Sequence, residues 1–211
     1  NWARIQADRF ANPVIRGFHT ELETVYEEKN MSLTKDFRKA LEAMDGMLFP
    51  DHPYGTQTVL GTQEHLKNPS ITNIKNYQKT YYVPNNIAIC LSGDFDPDEM
   101  VAVIEKYFGQ MQPNKDLPEI TLATSSVIES PVEKDVYGLD AENIMIGWKY
   151  PGAGTHEAMV ADVVSYILSN GSAGLIDLNL NQQQKVLGAQ AMSYTRPDAG
   201  EFIIMANPKH G

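Results

Sequence analysis

The hydrophobic pattern of this chain changes its period near the middle. Up to about residue 111, apolar residues mostly recur at steps of three and four, which is typical of amphipathic helices. Beyond residue 130, strand-like runs alternate with helical ones. The intervening segment 112–129 contains prolines and the low-complexity stretch TLATSS. We therefore predict an α+β fold, with helices layered on mainly antiparallel sheets, divided into residues 1–111, a linker at 112–129 and a second part at 130–211.

Breakers and capping residues set the bounds of the predicted elements. Ser70 is expected to cap one helix, and Asp96-Pro97 to begin another that ends at Gly109. The predicted helices cover residues 1–10, 20–47, 62–68, 70–82, 97–108, 155–168 and 174–183. The predicted strands cover residues 86–92, 131–138, 142–149, 188–195 and 201–206. The apolar residues of the helix 155–168, among them Met159, Val163 and Ile167, are expected to face the interior.

Composition excludes several classes of function. The net charge of the 211 residues is -10, so the basic surface of a nucleic-acid-binding protein is missing. The sequence contains no uncharged apolar run of the ~18 residues that a membrane span needs. Cys90 is the only cysteine, which excludes an internal disulfide and a cysteine-based zinc cluster, and we expect it to be buried in the strand 86–92.

Two glutamates near the start of the predicted long helix share one face. Glu21 and Glu28 are seven residues apart, which is close to two turns of an α-helix. Such a pair can bind a metal ion, or it can form a solvated acidic face near a helix N-terminus, where acidic residues are favoured. The spacing alone does not decide between the two. The scattered histidines offer no pair at metal-binding helical spacing, and we expect loop or surface positions for His52, His65, His156 and His210.

Several motifs occur in an order that resembles a known family. ELETVYEEKN is followed by FPDHPYG, NYQKTYYVPNN, NIAICLSGDFD and DPDEMVAVIEKYFG, and later by YPGAG and NGSAG. In this order, the motifs resemble the pitrilysin/insulinase family of zinc metallopeptidases over nearly the whole chain. In that family an inverted motif, His-x-x-Glu-His, supplies two zinc ligands and a general base, and a later glutamate completes the ligand set.

The resemblance assigns roles to the two glutamates. It implies that Glu28 is a zinc ligand and that Glu21, seven residues earlier, is a catalytic-site residue that supports the metal site without binding zinc. Glu27, which is adjacent to Glu28, is an alternative candidate for the zinc ligand, although it points about 100° away from Glu21 around a helix.

The sequence lacks His-x-x-Glu-His. The chain is therefore expected to be a fragment of a zinc metalloendopeptidase, inactive alone and without bound zinc. Because its first residue falls within a helical pattern, we predict no compartment.

The resemblance also implies partners. Active members of the family pair two homologous halves around a peptide or an unfolded polypeptide, and the half without zinc holds substrate with arginine and tyrosine. The stretch LIDLNLNQQQKVLGAQAMSY lacks that arginine and the glycine-linked tyrosine. We therefore expect the zinc-bearing half, with its second homologous half in the same or another chain. The alternative is a non-catalytic structural or interaction paralogue of the same fold. A fragment should also leave a strand edge unpaired and apolar surface uncovered.

Overall fold

The protein combines eight α-helices with one three-stranded antiparallel sheet in the residues described by the computed structural model, 1–119, 121 and 123–209. The helices are α1 (Trp2–Ala11), α2 (Phe18–Leu33), α3 (Asp36–Leu48), α4 (Pro53–Thr56), α5 (Gln63–Lys67), α6 (Ile71–Tyr81), α7 (Pro97–Phe108) and α8 (His156–Leu168). A 3₁₀ turn covers Pro84–Asn86, and a π-helical turn covers Asp177–Asn181. The strands are β1 (Ile144–Pro151), β2 (Gly188–Thr195) and β3 (Ala199–Asn207), in the order β1-β3-β2. The α+β fold class is confirmed.

The chain divides into two compact units. Unit 1 comprises Asn1–Tyr26 and Glu64–Ile120, and unit 2 comprises Glu27–Gln63 and Thr121–Gly211. Residues 27–63 thus group with the second half of the chain, whereas the sequence pattern predicted that they belong with the first. The division into domains at 112–129 stays a prediction.

Unit 1 packs around aromatic side chains. The ring of Phe10 at the end of α1 lies 6.2 Å from that of Tyr82 and 6.4 Å from that of Phe108, between ring centroids. Asn114, just after α7, donates from its side-chain amide to the Thr80 carbonyl at 3.1 Å. The start of the predicted linker is therefore fastened to the end of α6.

The predicted helix starts are confirmed where a cap defines them. The Asn73 N–H donates to Ser70 Oγ at 3.2 Å, and the Glu99 N–H donates to Asp96 Oδ1 at 2.9 Å. These bonds satisfy amides that have no carbonyl partner in the first turn of a helix. Because capping depends on residues adjacent in sequence, these helix starts could be predicted without tertiary contacts.

The predicted continuous helix 20–47 is wrong, because the chain breaks at Thr34 and Lys35 between α2 and α3. The Thr34 hydroxyl donates to the Met31 carbonyl at 2.7 Å, a local bond that competes with helix continuation. Lys35 has extended backbone angles, φ -90° and ψ 114°. At the start of α3, the Asp36 carboxylate accepts the N–H groups of Leu139 and Asp140, which holds the new helix against the loop before β1.

Two predicted strands are wrong. Residues 86–92 and 131–138 contain no strand, although Ile87 has extended angles of φ -123° and ψ 137°. A strand needs a neighbour for its backbone hydrogen bonds, and neither segment has one among the described residues. The prediction that Cys90 is buried is also wrong, since it is exposed. The predicted strands 142–149, 188–195 and 201–206 are confirmed as β1, β2 and β3, with bounds shifted by up to two residues.

The sheet of unit 2 buries a different set of side chains on each face. One face packs against α3 and the residue that follows it, in a cluster of Met44, Leu48, Phe49, Ala199, Ile203 and Met205. The other packs near the π-helical turn, in a cluster of Ile176, Ala189 and Ala191 with Phe202, Ile204 and Ala206 at its margin. β3 contributes alternate residues to the two clusters, as the twofold period of a strand requires.

Helix α8 turns small residues toward the protein and leaves large ones outside. Its buried residues are Ala158 and Ala161, whereas Met159, Val163 and Ile167 are more than half exposed. The prediction that these larger residues face the interior is therefore wrong. Ile144, Ile146 and Trp148 on β1 are exposed as well. Uncovered apolar surface was expected on the long helix and beside the segment 86–92, whereas the exposed apolar residues described here lie on α8 and β1.

The loop after α8 is organised by one carboxylate. Asp177 accepts the N–H groups of Asn170 at 3.0 Å, Gly171 at 2.9 Å and Gly174 at 3.3 Å, which closes the NGSAG segment onto the π-helical turn. Gly171 has a φ of +85°, which favours glycine. Burial raises the pKa of the Asp177 carboxyl, but the amides of Asn170, Asn181 and the two glycines outweigh this, so that its pKa lies below the ordinary value.

We expect Asp177→Ala to lower the melting temperature of the protein by several degrees, because three backbone amides lose their acceptor. The stabilisation by Asp177 should be present above its ordinary pKa and lost as the pH falls through the lower pKa of the folded state. Thermal unfolding at pH 7 and at pH 3 measures both effects. Asp135→Ala, at an exposed position with no side-chain partner among the described residues, is the matched control. Equal melting temperatures for the two variants would contradict the role of Asp177.

Candidate metal-binding helix

Helix α2 carries both glutamates of the predicted metal site. It begins after Gly17, whose φ of +62° redirects the chain, and the Glu21 N–H donates to the Gly17 carbonyl at 2.9 Å. Glu21 lies in the first turn of the helix, where a negative charge is favoured by the helix dipole. Glu28 follows seven residues later on the same uninterrupted helix. The two glutamates can share one face only if the helix is continuous between them, and α2 is continuous there, although it ends earlier than predicted.

Both carboxylates are exposed and unpaired. Among the described residues, neither Glu21 nor Glu28 accepts a hydrogen bond or forms an ion pair. Glu27 differs, because its carboxylate accepts from the side-chain amide of Asn30 at 3.5 Å. A carboxylate oxygen is a suitable zinc ligand, and an unpaired one can bind zinc without first losing another partner. The chemistry of Glu28 therefore fits one position in a zinc ligand set.

The remaining ligands do not lie beside Glu28 in this chain. Within residues 1–119, 121 and 123–209, no group of three histidine, cysteine, aspartate or glutamate side chains is placed to hold a metal ion. A zinc site therefore needs donors beyond those that the structure describes. The histidines stay scattered, and His65 and His156 are exposed as predicted. His210 lies outside the described residues.

The expectation for His52 is wrong, because it is among the most buried side chains of the protein. Only 1% of it is exposed. Its Nδ1 accepts the Tyr54 N–H at 3.1 Å, and its Nε2 lies 3.3 Å from Asp198 Oδ2. His52 follows Pro50-Asp51 and precedes Pro53, a context that predicted an exposed loop. The FPDHPYG segment instead contributes Phe49 and His52 to the interior of unit 2.

A buried charge cluster near His52 was not predicted. Arg196 Nη2 lies 3.3 Å from Asp45 Oδ1 on α3 and 3.2 Å from Glu201 Oε1 on β3. The guanidinium also lies over the ring of Tyr54, 4.1 Å from its centroid. Burial, and secondarily the charge of Asp45, raises the pKa of the Glu201 carboxyl to about 7, against the opposing effect of Arg196. The sequence did contain one indication of this cluster, because Glu201 occupies an inward-facing position of an otherwise apolar strand.

The end of the predicted linker is fastened to this side of unit 2. Asp51 accepts the Ser126 N–H at 3.1 Å, and Asp198 Oδ2 accepts the Ala123 N–H at 3.2 Å. Lys149 on β1 donates to Ser125 Oγ at 2.8 Å and to the Ser126 carbonyl. Several polar groups from distant parts of the sequence therefore hold residues 123–126 in place.

The family is shown by a match over two thirds of the chain. Residues 70–210 match the sequence model described as "Peptidase M16 inactive domain". The chain belongs to the M16 peptidase family, which confirms the resemblance to pitrilysin and its relatives. Glu21 and Glu28 precede the first residue of this match.

Curated relatives bear the names of zinc proteases. The chain is 25% identical over 165 residues to the zinc protease PqqE of Helicobacter pylori, covering 74% of this chain and 36% of that protein. It is 22% identical over 126 residues to an uncharacterized zinc protease of Mycobacterium tuberculosis, covering 59% of this chain and 28% of that protein. The chain thus spans about a third of the length of these relatives.

Solved structures show the same fold. A protease from Helicobacter pylori superimposes with a TM-score of 0.75 at 20% identity, covering 99% of this chain and 52% of the other. Pitrilysin superimposes with a TM-score of 0.65 at 22% identity, covering 98% of this chain and 23% of pitrilysin. Within the described residues, no helix is both long and apolar enough to cross a lipid bilayer.

Proposed function

We propose that this chain is part of a zinc-dependent metalloendopeptidase and carries one of its zinc ligands. Glu28 would bind the metal through its carboxylate, and Glu21 would support the site from two turns earlier on α2. The observation that carries this proposal is the pair of exposed, unpaired carboxylates seven residues apart on one helix. Membership of the M16 family and the zinc protease names of the relatives support it.

The missing parts of the site would come from residues outside this chain. Two histidine ligands and a glutamate general base are needed, and the 211 residues contain no His-x-x-Glu-His motif. When bound, zinc polarises the scissile carbonyl and lowers the pKa of a coordinated water. The role of this chain would be to supply Glu28 and to hold it in position. Alone, the chain is expected to be inactive.

The proposed organisation follows from this role. Residues 1–111 would form the C-terminal part of the zinc-binding domain, residues 112–129 a linker, and residues 130–211 the N-terminal part of the following homologous domain. A second homologous half, in the same or another chain, would close around a peptide or an unfolded polypeptide substrate. The aligned segments cover only 36% and 28% of the two relatives, which leaves room in those proteins for these further parts.

A second candidate is a non-catalytic paralogue that serves as a scaffold. The observation that favours it is the description of the matching family model as an inactive domain. That match begins at residue 70 and leaves out the helix with Glu21 and Glu28. Those glutamates favour the peptidase, because a scaffold has no need of two unpaired carboxylates on one helix face.

Removal and return of zinc distinguish the two candidates. In the longer protein that contains this chain, we expect a strong chelator to abolish hydrolysis of an unfolded polypeptide, and stoichiometric zinc to restore it. Turnover of a quenched fluorescent peptide and zinc content by mass spectrometry are the measurements. Magnesium added in place of zinc is the control. Turnover that survives complete removal of zinc, or no turnover in the zinc-loaded protein, would contradict the proposed peptidase.

A further inference from the structure

The residue next to Glu28 is a buried lysine. Lys29 is 5% exposed, whereas Glu28 beside it is exposed. Its Nζ donates to Glu42 Oε1 on α3 at 2.9 Å and to Thr58 Oγ1 at 3.4 Å. Lysine is rarely buried unless it is paired, because removing the ammonium from water is costly. All of these residues belong to unit 2.

Lys29 is the only buried residue of α2. The apolar residues Leu22, Val25, Tyr26 and Leu33 of this helix are only half-buried. In an ordinary surface helix, a stripe of buried apolar side chains fixes the orientation of the helix about its own axis. Helix α2 has no buried apolar residue. The next residue adds a second polar fastening, since the side-chain amide of Gln63 donates to Asn30 Oδ1 at 2.6 Å. The second half of α2 is thus attached to unit 2 largely through directional polar contacts.

We propose that the buried ion pair between Lys29 and Glu42 is a positioning device for Glu28. Adjacent residues of an α-helix point about 100° apart, so the direction that Lys29 takes fixes the direction of Glu28. A charge-assisted hydrogen bond restrains both the distance and the angle of the groups that it joins. A pair of apolar side chains of similar size would stabilise the contact as well or better, but would restrain the rotation of α2 less. Lys29 is a positioning residue, and its role rests on the proposed function of Glu28 as a zinc ligand.

The test is the zinc affinity of the longer protein that contains this chain. We expect Lys29→Met to raise the dissociation constant for zinc by roughly 10- to 100-fold, as is usual when a residue that orients a ligand is replaced. Competition with a chromogenic chelator measures this constant without reference to peptidase activity. If Lys29→Met does not fold, the double variant Lys29→Met/Glu42→Met replaces it, because an apolar pair of similar size keeps the contact while removing the charge-assisted hydrogen bond. A change of less than about threefold, in whichever variant folds, would overturn the proposal.

Lys39→Met is the matched control. Lys39 also forms an ion pair of 2.9 Å, with Asp36, but both partners of this pair lie on α3 itself. We expect this variant to leave the zinc affinity unchanged, with any effect confined to the melting temperature of the metal-free protein. If Lys29→Met and Lys39→Met weakened zinc binding equally, loss of general stability would explain both, and the positioning role would be refuted.

A double variant separates this inference from the proposed function. If Lys29 acts through Glu28, then Lys29→Met added to Glu28→Gln should have almost no further effect on zinc affinity. Additive effects would show that Lys29 acts elsewhere. If Glu28→Gln alone leaves zinc affinity intact, the proposed function fails. If Glu28→Gln weakens zinc binding and Lys29→Met does not, only the positioning role fails.

Discussion

Replacing Glu28 by glutamine should abolish the proposed peptide hydrolysis in a longer protein that contains this chain. The amide removes the negative charge of the proposed ligand while keeping the size of the side chain and its exposure on α2. A catalytic metal contributes several kcal/mol to the reaction, so loss of its correct coordination should reduce kcat/KM by about 1000-fold or more. Zinc content and turnover of a fluorescent peptide measure the two effects. Full zinc content with full turnover would show that the ligand assignment is wrong.

Two other glutamates of α2 make the result specific. Glu21→Gln should reduce activity by roughly 10- to 100-fold with a smaller loss of zinc, in keeping with a residue that supports a ligand. Glu23→Gln, at an exposed position of the same helix, is the matched control and should retain both zinc and activity. If Glu23→Gln and Glu28→Gln behaved alike, the acidic face of α2 as a whole, rather than one ligand, would be responsible.

The sequence was sufficient for the helices whose ends depend on neighbouring residues. Ser70 and Asp96 cap α6 and α7 as predicted, because the bonded groups lie three residues apart. The strands could not be predicted from neighbouring residues alone. Residues 131–138 and 188–195 were both predicted to form strands, but only the second segment pairs with β3. Sheet formation depends on contacts between distant segments, which periodicity does not contain.

The features of the candidate site also differ in whether the sequence could predict them. That Glu21 and Glu28 share one helix face follows from helix geometry, and it could be predicted once α2 was predicted. The burial of Lys29 could not, because it depends on Glu42 and Thr58, 13 and 29 residues away. The contact between Arg196 and Asp45 spans 151 residues of sequence. A charged residue inside an apolar pattern indicates that a partner is needed, but the identity of the partner comes only from the fold.

The buried carboxyl of Glu201 should make the stability of unit 2 depend on pH near neutrality. Glu201 is 3% exposed, and its Oε2 has no hydrogen-bond partner among the described residues. The charged groups that face it are Asp45 from α3 and Arg196 from the turn before β3, and Lys149 lies opposite on β1. Lys149 donates to Ser125, so Arg196 is left to compensate two carboxylates. Burial disfavours the charged form of Glu201, and the charge of Asp45 adds to this effect, so that the pKa of Glu201 is raised to about 7 against the opposing effect of Arg196.

A carboxyl whose pKa is higher in the folded state than in the unfolded state stabilises the fold in its protonated form. That stabilisation is fully present below the unfolded value of about 4.5, and it is lost as the pH rises through about 7. Glu201→Gln keeps a neutral side chain at every pH and should therefore avoid this loss. We expect the variant to match the wild type near pH 5 and to exceed its free energy of unfolding by about 1 to 3 kcal/mol near pH 8.5. Urea unfolding at the two pH values measures the difference, with Glu129→Gln, at an exposed position of unit 2, as the control. The same pH profile for wild type and Glu201→Gln would mean that Arg196 already compensates both carboxylates, and that Glu201 is ionised throughout.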